Sequence, residues 1–129
     1  MIDKDIKNIL KTELAHYNDY QMKLSAFRAR ERMLGIENAV VSEYIYRIER
    51  FCMAVDFVFT QINPIKERLV REVYIHRVHT IKRFAVMNYM DLSSAYRWAN
   101  EFFTLLALEL GYLDRRCASL PEPDSAYNS

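Results

Sequence analysis

The chain of 129 residues contains only two glycines and three prolines, and this shortage of breakers constrains the fold more than any motif. Glycine and proline supply the backbone geometry that sharp turns need, so few points along this chain demand one. All three prolines lie after residue 63, and Pro121 and Pro123 sit near the end. The remainder is rich in Leu, Ile, Met, Glu, Lys and Arg, which favour helix. With 51% hydrophobic residues there is enough apolar side chain for a core. The reading is an all-α chain: an N-terminal helical hairpin or bundle followed by a helix-turn-helix unit.

Periodicity divides the chain into five helical segments. From about Ile2 to Leu34, the residues Ile6, Leu10, Tyr17, Tyr20, Leu24, Phe27 and Leu34 fall on one stripe. Asn18-Asp19 interrupts it with residues that prefer caps and turns, so one bent helix or two helices meeting near Asn18 are expected. Gly35 is a natural stop. From about Asn38 to Ile62, apolar residues repeat with a period near 3.5 (Val41, Tyr44/Ile45, Ile48, Phe51/Cys52, Val55, Val58/Phe59, Ile62), the strongest signal in the chain. Asn63-Pro64 ends it. A third segment runs from Pro64 to about His76, a short fourth from about His79 to Met87, and a fifth from Asp91 to about Leu110, stopped by Gly111. Residues 1–62 read as a support and oligomerisation region and 63–113 as the helix-turn-helix region. Residues 114–129, with Pro-Glu-Pro-Asp-Ser and no periodicity, read as a disordered tail.

Charge is unevenly placed. The net formal charge is only +1, and residues 1–63 are neutral, with nine basic and nine acidic side chains. Residues 64–97 carry seven basic residues (Lys66, Arg68, Arg71, Arg77, Lys82, Arg83, Arg97) against Glu67, Glu72 and Asp91, a net +4, and residues 98–129 are net −3. The positive excess thus collects in one short stretch. Cys52 and Cys117 form no framework or CxxC pair, and a reducing compartment follows. Met1 to Leu14 alternates charge with aliphatics, unlike a secretory signal, and no run reaches the ~18 apolar residues of a membrane span. A cytoplasmic location without membrane attachment is expected.

The fourth and fifth segments are separated only by Asn88-Tyr89-Met90-Asp91, a short helix, tight turn and longer helix. Such a unit needs a large and a small buried residue on its first helix, supplied by Phe84 and Ala85. It needs an apolar residue under the turn, Met90, and an N-cap, Asp91, whose carboxylate is expected to accept from Ser93 or Ser94. Ala95, Trp98 and Phe102 are expected to face inward. That turns Leu92, Ser93, Ser94, Tyr96, Arg97, Asn100 and Glu101 outward, where a recognition helix meets the major groove of double-stranded DNA. Arg97 suits guanine and Asn100 suits adenine, with Ser93, Ser94 and Tyr96 as further base-reading candidates. Arg77, His79, Lys82 and Arg83 are placed for phosphate contacts. Asn88 stands where such units usually bury a Leu-like residue.

The stretch from Asn63 to Leu113 also resembles the C-terminal region of the RinA/ArpU-type late-transcription regulators of phages infecting Gram-positive bacteria, a region similar to the helix-turn-helix of sigma factor region 4. The residues concerned are Glu67 to Ile75, Arg83-Phe84-Ala85, Asp91 to Trp98 and Leu106 to Gly111, joined by Leu14 to Tyr20 and Leu24 near the N-terminus. The chain departs from that pattern at its Asp91 cap, where Ser or Thr is frequent, and at Ala99 and Glu101, where basic residues are common. The resemblance implies an activator of phage or prophage late genes, packaging and structural, acting in the bacterial host with RNA polymerase as a possible contact.

Other chemistry finds less support. Glu72, His76 and His79 have helical spacing for a metal, but the helix is expected to end near His76 with no fourth ligand. No catalytic triad order, phosphate loop or apolar carboxylate pair stands out, so neither enzyme activity, small-molecule substrate, cofactor nor metal is expected. The tyrosines Tyr17, Tyr20, Tyr44 and Tyr46 could face a partner, and the two N-terminal stripes exceed what a small C-terminal unit can cover. A homo-oligomer, with a dimer favoured, follows. Two alternatives remain open: a small DNA-recognition subunit of a phage packaging machine, and an interaction protein that keeps the fold without binding DNA.

Overall fold

Helix α6 (Leu92–Leu110) carries small residues where other helices must approach and large ones where they leave space, and most of the fold is arranged around it. The computed structural model describes residues 2–35 and 42–113. Six α-helices and no strand occur among them. The start of the second expected segment, residues 38–41, together with Cys117 and the tail 114–129, lies outside the described residues.

Helix α1 (Lys4–Ala15) is capped by Asp3, whose carboxylate accepts from the N–H groups of Asp5 and Ile6. Helix α2 (Tyr17–Leu34) follows immediately, so the N-terminal stripe is two helices that meet at His16 rather than at Asn18. His16 alone leaves helical geometry, at φ −100° and ψ 3°, whereas Asn18 and Asp19 fit the first turn of α2, where an acid is favourable. Gly35 ends α2 in the left-handed conformation, with φ +63°. Helix α3 (Glu43–Gln61) starts at Ser42, which accepts from the N–H of Ile45. It buries Ile48, Phe51, Cys52, Val55, Val58 and Phe59, the stripe its period predicts, against α2 and α6.

Helix α4 (Pro64–Val70) begins on an Asn63 cap with Pro64 at its first turn. Its continuation, Arg71–Ile75, is a π-helical turn rather than the plain α-helix expected up to His76. The N–H of His76 reaches back five residues to the Arg71 carbonyl at 2.7 Å. Helix α5 (Ile81–Met87) is capped by Thr80 and packs against α6.

Residues from every helix join one continuous core. Leu10 and Leu14 of α1, Val55 and Val58 of α3, Leu69 and Val70 of α4, Phe84 of α5 and Phe102, Phe103 and Leu106 of α6 are all fully enclosed. Each such side chain contributes about 1.5–3 kcal/mol by leaving water. Phe103 lies edge-on to Tyr74 at 5.0 Å, and Phe59 stacks on Phe102 at 5.4 Å. The division at residue 62 therefore separates stretches of sequence but not two cores. No described helix is long and apolar enough to cross a membrane.

Candidate nucleic-acid interface

Phe84 and Ala85 of α5 and Ala95 and Ala99 of α6 are all essentially without exposure, and the two helices pack on each other. Met90 is half-buried beneath the turn against the core. This is the short helix, turn and long helix expected from residues 81–110.

The turn closes in a way the sequence does not advertise. The N–H of Met90 donates to Ala85 O at 3.0 Å and that of Tyr89 to Val86 O at 3.3 Å, the paired bonds of a Schellman helix end. The left-handed position they require is filled by Tyr89, at φ +54°, where glycine is the comfortable residue. Its side chain is 98% exposed. Asn88 is not a defect in the corner. Its amide donates to Phe84 O at 2.8 Å, and its side-chain oxygen accepts from Arg68, tying the turn to α4.

Asp91 occupies the N-cap position with extended backbone, but its carboxylate makes no cap hydrogen bond. The first turn is held by the backbone, the Ala95 N–H donating to Asp91 O at 3.1 Å. The expected bonds to Ser93 or Ser94 are absent, and Asp91 is exposed.

The inward arc of α6 is also rotated from expectation. Ala95 and Phe102 are buried, but so are Ala99, Phe103, Leu106 and Ala107, and Trp98 is only half-buried. The Lys66 ammonium stands 5.8 Å over the Trp98 ring and pairs with Glu101 at 3.1 Å. The small Ala99 is fully buried and the indole is not, since close packing selects for volume as well as for apolarity.

This rotation divides the expected base-reading residues. Ser93, Tyr96 and Arg97 are exposed and Ser94 is half-exposed. Asn100 is turned towards α1, where its side-chain oxygen accepts from the Lys7 ammonium at 2.7 Å. Lys7 also lies 5.9 Å from the Tyr96 ring. Asn100 is therefore engaged inside the protein, and Tyr96 presents only its free edge.

The basic stretch sorts into two groups. Lys66 pairs with Glu101, Arg68 with Glu72 at 2.9 Å, and Arg71 with Glu67 at 2.8 Å while lying 4.5 Å over Phe59. The other four, Arg77, Lys82, Arg83 and Arg97, are exposed, and among the described residues none of them is in an ion pair. They lie on the loop before α5, on the first turn of α5 and on the outer arc of α6. His79, expected beside them, instead faces Glu72 at 3.4 Å. Glu72, His76 and His79 do not converge: His76 contacts Asn18 at 3.2 Å, and no group suited to a metal ion occurs among the described residues.

Sequence reasoning missed Lys7 and Phe103, and it gave Tyr89 and Asn88 no part in closing the turn. Lys7 lies in a charge-neutral region 93 residues from its partner, so no local signal could reveal it. No family model matches the chain, and comparisons with curated proteins and with solved structures likewise give no match.

Proposed function

We propose that this chain is a sequence-specific double-stranded DNA-binding transcription regulator that reads duplex DNA with the N-terminal half of α6. The observation that carries the reading is the sorting of the basic stretch. Three of its cations, Lys66, Arg68 and Arg71, are paired with Glu101, Glu72 and Glu67, while Arg77, Lys82, Arg83 and Arg97 stay exposed around one helix-turn-helix. Placed against a duplex, Arg97 would meet a guanine edge, Ser93, Ser94 and Tyr96 would reach bases or the near backbone, and Arg77, Lys82 and Arg83 would set the register on phosphates. Asn100 leaves the reading set unless it exchanges Lys7 for adenine.

The resemblance to phage late-transcription regulators supports a role as activator of packaging and structural genes in the cytoplasm of a bacterial host. The reading involves no catalysis, cofactor or small-molecule substrate. Paired half-sites would call for a dimer. The outer side of α3 suits a second copy: Tyr46, Met53 and Phe57 are exposed there at seven- and four-residue spacing.

Selection of bound duplexes from a random pool with the purified protein tests the reading. Enrichment of a guanine-containing motif, repeated in two half-sites, is expected. Absence of any enriched sequence, with no duplex binding at low salt, would contradict it and favour an interaction protein carrying the same fold.

A further inference from the structure

Lys7, which brings positive charge from α1 against α6, is not alone. Lys4, Lys7 and Lys11 are spaced three and four residues apart, so they share one flank of α1. Lys4 and Lys11 are exposed and Lys7 is half-buried. One turn beyond Lys7, Lys11 stands 5.9 Å over the Tyr74 ring at the mouth of an open groove of about 530 Å³ between α1 and the π-helical turn. The groove walls carry Lys11, His16 and Arg77 and, among the described residues, no acid.

Asp5, the acid next to Lys4, points about 100° round the helix from it and off the lysine flank, and the other two acids are engaged. Asp3 caps backbone N–H groups, and Glu13 accepts from the Tyr20 hydroxyl at 2.5 Å. Burial, with the like charge of Lys11, holds the Lys7 ammonium below its ordinary pKa of 10.5. Among the described residues none of Lys4, Lys7 and Lys11 is in an ion pair, so the flank stays positive. Two features join it to the helix-turn-helix: Lys7 touches Asn100 and lies against the Tyr96 ring on α6, and Arg77 lines the groove while standing on the loop that leads into α5.

We propose that the Lys4–Lys7–Lys11 flank and the adjoining groove form a second track for the duplex phosphate backbone, extending the interface from α6 onto the N-terminal helix. The proposal rests on the DNA-binding reading and adds to it the partner's chemistry at this face. Phosphates would meet ammonium groups supplied by a region whose net charge is zero.

The test uses the full chain and a duplex taken from the selection above. The double variant Lys4→Ala/Lys11→Ala alters only exposed groups, and thermal unfolding followed by circular dichroism checks that it folds. Its duplex affinity should fall by the same factor on every sequence. The slope of log affinity against log salt should shrink by about 2, one released counterion's worth for each lysine. Lys4→Arg/Lys11→Arg should restore both. If the double variant keeps wild-type affinity and slope while Arg97→Ala weakens binding, the track is overturned and the reading of α6 stands. If the wild type binds no duplex at all, both fall together.

Discussion

The Lys7 ammonium donates a 2.7 Å hydrogen bond to the Asn100 side-chain oxygen across 93 residues of sequence. This bond fixes α1 beside the candidate recognition helix and withdraws one of its base-reading candidates. A hydrogen bond from a charged, half-buried donor typically contributes more than a neutral one. A double-mutant cycle with Lys7→Ala and Asn100→Ala, read by denaturant unfolding, should give a coupling energy of about 1 kcal/mol. Additive single effects would mean that the two groups do not depend on each other.

Arg97 is exposed, and its removal should leave stability alone. Arg97→Ala should weaken binding to a selected duplex by about 1–3 kcal/mol if it reads a guanine, with discrimination relaxed at one base position. Asn100→Ala should affect base discrimination far less. An equal effect at every base position would demote Arg97 to a phosphate contact.

The rotated face of α6 makes opposite forecasts for two aromatic residues. Phe103→Ala opens a cavity in an enclosed site and should cost about 3–5 kcal/mol in unfolding free energy. Trp98→Ala, at a half-buried ring covered by Lys66, should cost clearly less. Ala99→Leu, which forces bulk into a fully buried site, should destabilise by about 1–3 kcal/mol or more. Calorimetric or denaturant unfolding of the three variants ranks them.

Tyr89 holds a left-handed conformation that costs a side-chain-bearing residue about 1 kcal/mol, and its ring is exposed. Tyr89→Gly should therefore raise stability by a fraction of that amount after the greater freedom of the unfolded glycine is deducted. A fall in melting temperature would mean that the ring makes a stabilising contact.

Alkaline pH should loosen the N-terminal packing. Burial raises the Tyr17 hydroxyl to about 12, helped by its hydrogen bond to Asp56, and burial with the bond to Glu13 does the same for Tyr20. Partial burial against Phe103 also raises Tyr74 to about 12. A folded pKa above the unfolded value near 10 means that the stabilisation is fully present below pH 10 and is lost as pH rises towards 12. Unfolding free energies measured across that window should fall, and less steeply in Tyr17→Phe. A flat profile would contradict the assignment.

Helices were legible because their causes are local. Gly35, Pro64 and Gly111 mark ends with chemistry visible in one or two residues, and the α3 stripe repeats often enough to fix its face, though not its start at Ser42. The remainder depended on partners. The junction at His16 has no distinctive residue, the π-helical turn at Arg71–Ile75 carries no local sequence signal, and the α5 end uses a tyrosine where Gly35 and Gly111 serve elsewhere. On α6, Ala95, Trp98 and Phe102 and the alternative set Ala95, Ala99 and Phe103 both fit helical spacing. The packing of α3, α4, α5 and α1 around α6 buries Phe102 together with the second set and leaves Trp98 half-buried. The candidate interface was therefore legible as a segment, Lys82 to Arg97, while the contribution of α1 was not.

The central claim is that the outer side of the N-terminal half of α6 meets duplex DNA. Amide chemical-shift mapping by NMR during titration with a selected duplex tests it most directly. The account predicts that the largest changes fall on Ser93, Ser94, Tyr96 and Arg97 and on Lys82 and Arg83, with α2 and the outer side of α3 little affected. Changes centred on Tyr46, Met53 and Phe57, or none at saturating duplex, would contradict it.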